Sequence, residues 1–198
     1  MKTFLPAAYK FNWFTDPGEN PAGGFAAVAK RPITDRKYIE KSHGLFGTQT
    51  FSIKVGDQAV RIMNLHLNPA ALPEKHNRGT ALHAMILNNK FQAREVKNIL
   101  THYDAQIPTI IAGDVNSFSN LAAYRMIIRT GFTDAHLSVD EDAGQVSTWK
   151  DGDPYAPGEG RFDYIFHNAP FTAHTFEVVE HPYSDHALLN CTLRLKKP

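Results

Sequence analysis

What most limits the fold of this chain is an order of periodicities: two-residue alternation, then one long helical stripe, then alternation again. Gln49 to Val55 alternates Phe51, Ile53 and Val55 with Ser52 and Lys54. Val60, Ile62 and Asn64 alternate with Arg61 and Met63, and Gly56-Asp57 between the two runs suits a hairpin turn. The second of these antiparallel strands runs into His66. From about Arg78 to Tyr103, Leu82, Met85, Ile86, Ala93, Val96, Ile99, Leu100 and Tyr103 recur at three- and four-residue steps, which predicts one helix with a single apolar stripe. Lys90, Arg94 and Lys97 fall on its solvated side. Thr109-Ile110-Ile111 then reads as a short buried strand ending at Gly113. Helices that interrupt strands in this way indicate an α/β or α+β sheet protein.

The rest of the chain extends that pattern. Phe25 to Lys30 is an apolar run closed by Arg31-Pro32, as at the end of an edge strand. A second helix is expected over Asn120 to Thr130, stopped by Gly131. Further strands are expected over Arg161 to Phe166, Thr172 to Val179 and His186 to Leu195. Asp16 to Gly24, with two prolines and three glycines, reads as an irregular loop. Val139 to Gly160 is polar and acidic and reads as a long surface loop bordering a site.

Composition bounds the function. A chain of 198 residues has room for one domain. Lys and Arg number 21 against 20 Asp and Glu, so a strongly electrostatic nucleic-acid binder is disfavoured. The single cysteine, Cys191, excludes an internal disulfide or a thiolate metal cluster. It alternates with Leu189, Leu193 and Leu195, as an inert core thiol would. No apolar stretch approaches the roughly 18 residues of a membrane helix, and no signal-peptide core is present. A cytoplasmic monomer without a membrane span is the expectation.

Four segments place reactive side chains where an apolar strand begins or ends: Asn64-Leu65-His66-Leu67, Gly113-Asp114-Val115-Asn116, Arg161 to Phe166, and Ser184-Asp185-His186. Polar groups at strand ends converge on one rim of a sheet, where open α/β folds hold ligands. Asp114 and Asn116 are two apart, so an extended backbone aims both one way, where they could align a water and hold an anionic oxygen. Alone, the pair reads rather as a turn after a strand. Asp163, inside an apolar strand, needs a partner: either a histidine whose ring it orients or the neighbouring Arg161. His66 alone reads as structural, and Asp185-His186 alone as a loop dipeptide. His43, His76, His83, His102, His136, His167, His174 and His181 show no metal-ligand spacing.

Taken in order, these segments resemble the endonuclease/exonuclease/phosphatase superfamily of metal-dependent phosphoesterases. The match runs from the histidine-bearing strand at 64–67 through Gly-Asp-x-Asn at 113–116 and Thr148-Trp149. It continues through Arg-x-Asp-Tyr-Ile-Phe at 161–166 to Ser-Asp-His at 184–186, covering about residues 22 to 195. Val115 and Phe162 stand where the family often has Phe and Ile. The resemblance implies two packed, mostly antiparallel sheets flanked by helices in a four-layer sandwich. It implies an Asp114 that activates water, an Asn116 that binds the scissile phosphate, and a His186 oriented by Asp163 that stabilises phosphoryl charge. His66 would contact phosphate or help protonate the leaving group, Trp149 would border the substrate, and Asp185 would contribute to a Mg²⁺ site, with Mn²⁺ as a substitute. The implied substrate is a phosphodiester or phosphomonoester from a nucleic acid, a lipid head group or a small molecule.

One departure qualifies the expectation. The family's principal metal ligands are an Asn on its first strand and a Glu ending its second, both upstream of the segment matching Phe25 to Ile33. Neither Asn12 nor Glu19 is accepted in those roles, because Asn12 follows no apolar strand and Glu19 sits in a turn. Residues 1–198 are therefore expected to form a single, N-terminally incomplete domain of this family. The rival expectation is an impaired scaffold that binds a phosphorylated ligand or a protein partner. Calcineurin-like phosphoesterases and serine hydrolases are set aside, since the Gly-Asn-His-Asp/Glu and Gly-His-x-His elements of the first and the Gly-x-Ser-x-Gly elbow of the second are absent.

Overall fold

The hairpin at Gly56-Asp57 supplies two neighbouring inner strands of the largest sheet. A computed structural model describes residues 7–15, 24–69, 78–150 and 159–196. The elements are, in chain order, strands β1 (Phe11–Thr15), β2 (Phe25–Ala29), β3 (Thr34–Ile39), β4 (Thr48–Val55) and β5 (Gln58–His66), then helix α1 (Arg78–Leu100). Strand β6 (Thr109–Asp114), helix α2 (Ala122–Arg129) and strands β7 (Thr133–Asp134), β8 (Trp149–Lys150) and β9 (Glu159–Gly160) follow. The chain ends in strands β10 (Asp163–His167), β11 (Phe171–Val179) and β12 (Leu188–Leu195).

Six strands pair in the order β3-β4-β5-β6-β10-β7. Every neighbouring pair is antiparallel except β5 and β6, which are parallel. A parallel pair needs a long crossover, and α1 supplies it. Alternation along the strands then divides the sheet into two faces. Met63, Leu65, Ile111, Tyr164 and Phe166 face α1 and α2 and pack on Val96, Ile99, Ala123, Tyr124 and Ile127. Phe51, Ile53 and Ile62 face the other way and pack on Phe11, Trp13 and Ala27 of the β1–β2 hairpin. Beside β7, His136 stacks on Phe176 of the β11–β12 hairpin at 4.2 Å.

The result is the expected α/β sandwich of layers around a mixed sheet. Among the described residues both helices lie on one side of the large sheet, so the second outer helical layer of the expected four is not seen there. None of these helices is long and apolar enough to cross a membrane.

Besides β8 and β9, three strands escape a periodicity reading. β3 (Thr-Asp-Arg-Lys-Tyr-Ile) is a charged, mostly exposed edge strand, which needs no apolar alternation. β7 is two residues long, and β1 carries Asn12 on its exposed face, opposite Phe11 and Trp13. Asn12 thus lies within a strand rather than after none. Glu19 and most of the Asp16 to Gly24 loop fall outside the described residues.

Two expectations are corrected. Val139 to Gly160 is not one loop: a 3-10 turn covers Glu141–Gln145, and β8 pairs with β9. The helix stripe is also less apolar than predicted. Val96 and Ile99 are buried but Ile86 is 49% exposed, and buried polar residues Asn88, Gln92 and Glu95 share the inward face. The side chains of Leu82 and Met85 fall outside the described residues. Lys90, Arg94 and Lys97 are exposed, as expected. Cys191 is half-buried on one face of β12 with its three leucines, and burial pushes its thiol up to about 11, which leaves it inert.

Candidate active site

Strand register assembles the site. Cα pairing sets His66 opposite Asp114 across β5 and β6, and Asp163 opposite Asp114 across β6 and β10. Residues opposite one another in a ladder point to the same face. Three strands therefore deliver one imidazole and two carboxyls in a single row, on the face turned away from the helices.

Backbone requirements explain the residue types around Asp114. Gly113 has φ +133°, and a Cβ there would lie 1.9 Å from the Leu65 carbonyl oxygen, so only glycine fits. Asn116 has φ +49°, a left-handed conformation that asparagine tolerates better than most residues. Its backbone N–H donates to Asp114 Oδ1 at 2.7 Å, and its side-chain amide donates to the Leu67 carbonyl at 3.0 Å. The chain leaves the extended form at Asn116, yet the Asn116 side chain as well as its N–H helps to hold the Asp114 carboxyl ionised. The turn itself grips the carboxylate, and the turn and the site are one structure.

The partner of Asp163 is His186. Arg161 instead meets the buried Asp134 at 2.7 Å. His186 Nδ1 lies 2.8 Å from Asp163 Oδ2, and the Thr148 hydroxyl donates to the same oxygen at 2.8 Å. Thr148 Oγ1 in turn accepts from the N–H groups of Phe162 and Asp163, each at 3.0 Å. A backbone bond from Ala187 N to the Thr148 carbonyl, 2.8 Å long, and the Trp149–His186 bridge tether the histidine loop to β8. On the far side of His186, Nε2 is 3.9 Å from Asp114 Oδ2. His66 Nε2 approaches that same oxygen to 3.5 Å. Asp114 is thus flanked by two rings.

Charge states follow from these neighbours. Burial, then repulsion from Asp163, pushes the Asp114 carboxyl up to about 7, against the lowering effect of the Asn116 N–H. The hydrogen bond to Asp163 raises His186 above the usual imidazole value despite its partial burial. Burial and the nearby His186 push His66 down to about 4, so it is neutral at pH 7. Burial alone would raise Asp185, but the Trp149 indole N–H at 3.1 Å, with further hydrogen bonds and His186, holds it below the usual carboxylate range.

Asp114, Asp163 and His186 each offer a ligand atom within 4.8 Å of the others, a group that could hold a metal ion. Asp185, the metal ligand expected from the sequence, is not part of that group and instead accepts from Trp149. Trp149 itself packs on Phe162 at 5.5 Å. Phe46 was not anticipated: its ring stacks on His66 at 3.8 Å and 11°. No local pattern marks it, because the contact is made by a loop residue distant in sequence. A cleft of about 280 Å³ opens beside Phe46, His66, Asn64 and Asp114.

The family model for the Endonuclease/Exonuclease/phosphatase family matches residues 2–186. No curated protein sequence matches the chain. Among solved structures it is similar to an endonuclease/exonuclease/phosphatase family protein from Leptotrichia buccalis, with TM-score 0.66 and 17% identity over 93% of this chain and 72% of that one. It is similar to an endonuclease/exonuclease/phosphatase from Beutenbergia cavernae, with TM-score 0.71 and 18% identity over 96% of this chain and 54% of that one. It is also similar to the human Nocturnin catalytic domain, solved with a bound sulfate anion, with TM-score 0.63 and 17% identity over 94% and 72% of the two chains. At such identities the likeness shows the fold alone.

Proposed function

The chain belongs to the endonuclease/exonuclease/phosphatase family, and on that premise we propose that it hydrolyses a phosphoric ester by attack of water activated at Asp114. The observation that carries this reading is the Asp163–His186 pair at 2.8 Å, set beside a buried Asp114 whose carboxyl is poised near neutral pH. Asp114 takes one proton as the water oxygen forms its bond to phosphorus. The bond to the leaving oxygen breaks on the opposite side.

His186, whose protonated form Asp163 favours, donates from Nε2 to a non-bridging oxygen and stabilises the charge that grows there. Asn116 has two amide protons and uses one on Leu67, which leaves the other for phosphate. His66, neutral at pH 7, donates a hydrogen bond to the phosphate or to the departing oxygen rather than carrying charge. Trp149 borders the substrate beside His186.

The donor set fits a divalent cation: Asp114, Asp163 and His186 lie within reach of one ion, and Asp185 nearby is held below its usual range. Asp114 and Asp163 would hold Mg²⁺ or Mn²⁺, with Asp185 contributing to the same site. When bound, such an ion supplies positive charge to the phosphoryl oxygens. The chain's formal charge of +1 favours a small phosphodiester or a lipid head group over duplex nucleic acid.

The test is hydrolysis of bis-p-nitrophenyl phosphate with Mg²⁺ by this chain. Turnover supports the reading. A folded protein that binds phosphate but hydrolyses nothing would establish the scaffold instead.

A further inference from the structure

Helix α1 buries a polar ridge where its sequence promises an apolar one. Asn88, Gln92 and Glu95 are 7%, 1% and 4% exposed and follow one another at four- and three-residue steps. Gln92 Nε2 donates to the Asn68 carbonyl at 2.9 Å and to the Asn116 carbonyl at 2.6 Å. A primary amide has two protons, so one nitrogen satisfies both acceptors.

The two acceptors are equivalent positions. Asn68 lies two residues after His66 and Asn116 two residues after Asp114, and His66 and Asp114 are register partners. The parallel ladder makes its last bond just before them, from Leu67 N to the Asp114 carbonyl at 2.9 Å. Beyond that point the two strand ends would diverge, and Gln92 joins them. Its neighbours complete the hold on Asn68: the backbone N–H donates to Glu95 Oε2 at 3.0 Å, and the side-chain amide donates to Asn88 Oδ1 at 2.9 Å.

We infer that Gln92 is a positioning residue for the reaction, clamping the β5 and β6 strand ends so that Asn116 keeps its left-handed turn around Asp114. The inference rests on the phosphoesterase reading for its catalytic consequence, while the clamp itself rests on geometry. Asn116 stores strain of about 1 kcal/mol or more in its backbone, and such a conformation persists only where surrounding bonds over-determine it. Gln92 supplies the bond to the Asn116 carbonyl. The other two, from the Asn116 N–H and its side chain, both depend on the placement that Gln92 fixes. Gln92 touches no reacting atom, and its effect passes through Asn116.

The experiment compares wild type with Gln92→Met, which keeps length and burial but removes both protons, and with Gln92→Glu, which keeps shape but presents acceptors to acceptors. With bis-p-nitrophenyl phosphate and Mg²⁺, kcat should fall about 10- to 100-fold in both variants, the scale of a small misplacement of reacting groups, while KM stays within about threefold. Amide exchange at Asn68 and Asn116 should accelerate at least about tenfold, with Val60 and Ile111 in the strand centres unchanged. A kcat within twofold of wild type overturns the inference. So does a loss accompanied by faster exchange throughout β5 and β6, because that is general destabilisation. Absence of turnover in wild type sinks the phosphoesterase reading instead. The clamp is then judged by exchange alone, and unaccelerated Asn68 and Asn116 amides overturn it.

Discussion

His66 and His186 flank the same carboxyl oxygen of Asp114, at 3.5 and 3.9 Å, and are about equally exposed, yet they are driven to opposite charge states. His186 has Asp163 on its other nitrogen, and its pKa rises. His66 is covered by the flat face of Phe46 and, among the described residues, has no second carboxylate in contact, and burial with the nearby His186 takes its pKa down to about 4. Proximity to Asp114 does not decide the matter, because both rings share it. What decides is the second neighbour, which fixes one ring as the cation and the other as a neutral donor. A pair of histidines around one carboxyl can thus divide charge stabilisation and neutral hydrogen bonding between them without any difference in the residue itself.

The largest effect expected is removal of the shared carboxyl. Asp114→Asn should cut turnover about 10²- to 10⁴-fold while the protein stays folded, as seen by circular dichroism, since this is the range of a lost general base. Undiminished turnover would take Asp114 out of its role. Next, Asp163→Asn should erase the difference between the rings. In wild type, histidine proton resonances should show His66 titrating near 4 and His186 above 6.5. In the variant His186 should titrate lower than in wild type, with kcat reduced about 100-fold. An unmoved His186 would break the comparison.

The pH profile sharpens it. A base must be ionised to act, so kcat should rise with pH through about 7 as Asp114 loses its proton. It should fall again on the alkaline side as His186 becomes neutral, and Asp163→Asn should pull that limb toward acid. A flat profile between pH 5 and 9 would contradict both assignments. A smaller change is expected from Phe46→Ala, which uncovers one face of His66. Its titration should climb from near 4 toward 6.5, with turnover altered only a few-fold.

The smallest effect on catalysis lies across the sheet. Glu95, like Asp114, is a buried carboxyl pushed up to about 7 by burial, eased by the Asn68 N–H. Its folded pKa exceeds the unfolded one, so stability is greatest in acid and declines as pH rises from 4.5 through about 7. Glu95→Gln should therefore stabilise the protein at pH 8 by about 2 kcal/mol and change little below pH 4.5. Thermal melts at the two pH values check this, and equal shifts at both would refute it.

Much of this was legible before any coordinates. The β4–β5 hairpin, α1, β6, α2 and the last three long strands announce themselves through periodicity, because each buries one face and exposes the other. Edge strands such as β3 do not, since solvent permits any polar sequence there. The chemistry was legible only as ordered short segments. Asp163 could have chosen Arg161 or a histidine, and only packing, which turns Arg161 onto Asp134, decides it. Phe46 and Gln92 were invisible for a related reason: each acts through a contact made by tertiary structure, and a glutamine on a helix ordinarily faces water. Asp185 is a metal ligand only by the family resemblance, and the Trp149 indole on its carboxylate emerges only in three dimensions.

The shared row of His66, Asp114 and Asp163 carries a consequence for how this molecule can vary. Side chains on a strand alternate strictly, so a single residue inserted between Ile110 and Asp114 would send the carboxyl into the oily compartment beneath the helices and lift an aliphatic group into its place. Small drifts in loop length elsewhere are harmless by comparison. Reactivity here is inherited as a unit from the weave of three neighbouring strands, and descendants of this chain can reshape what surrounds it far more freely than the spacing that creates it.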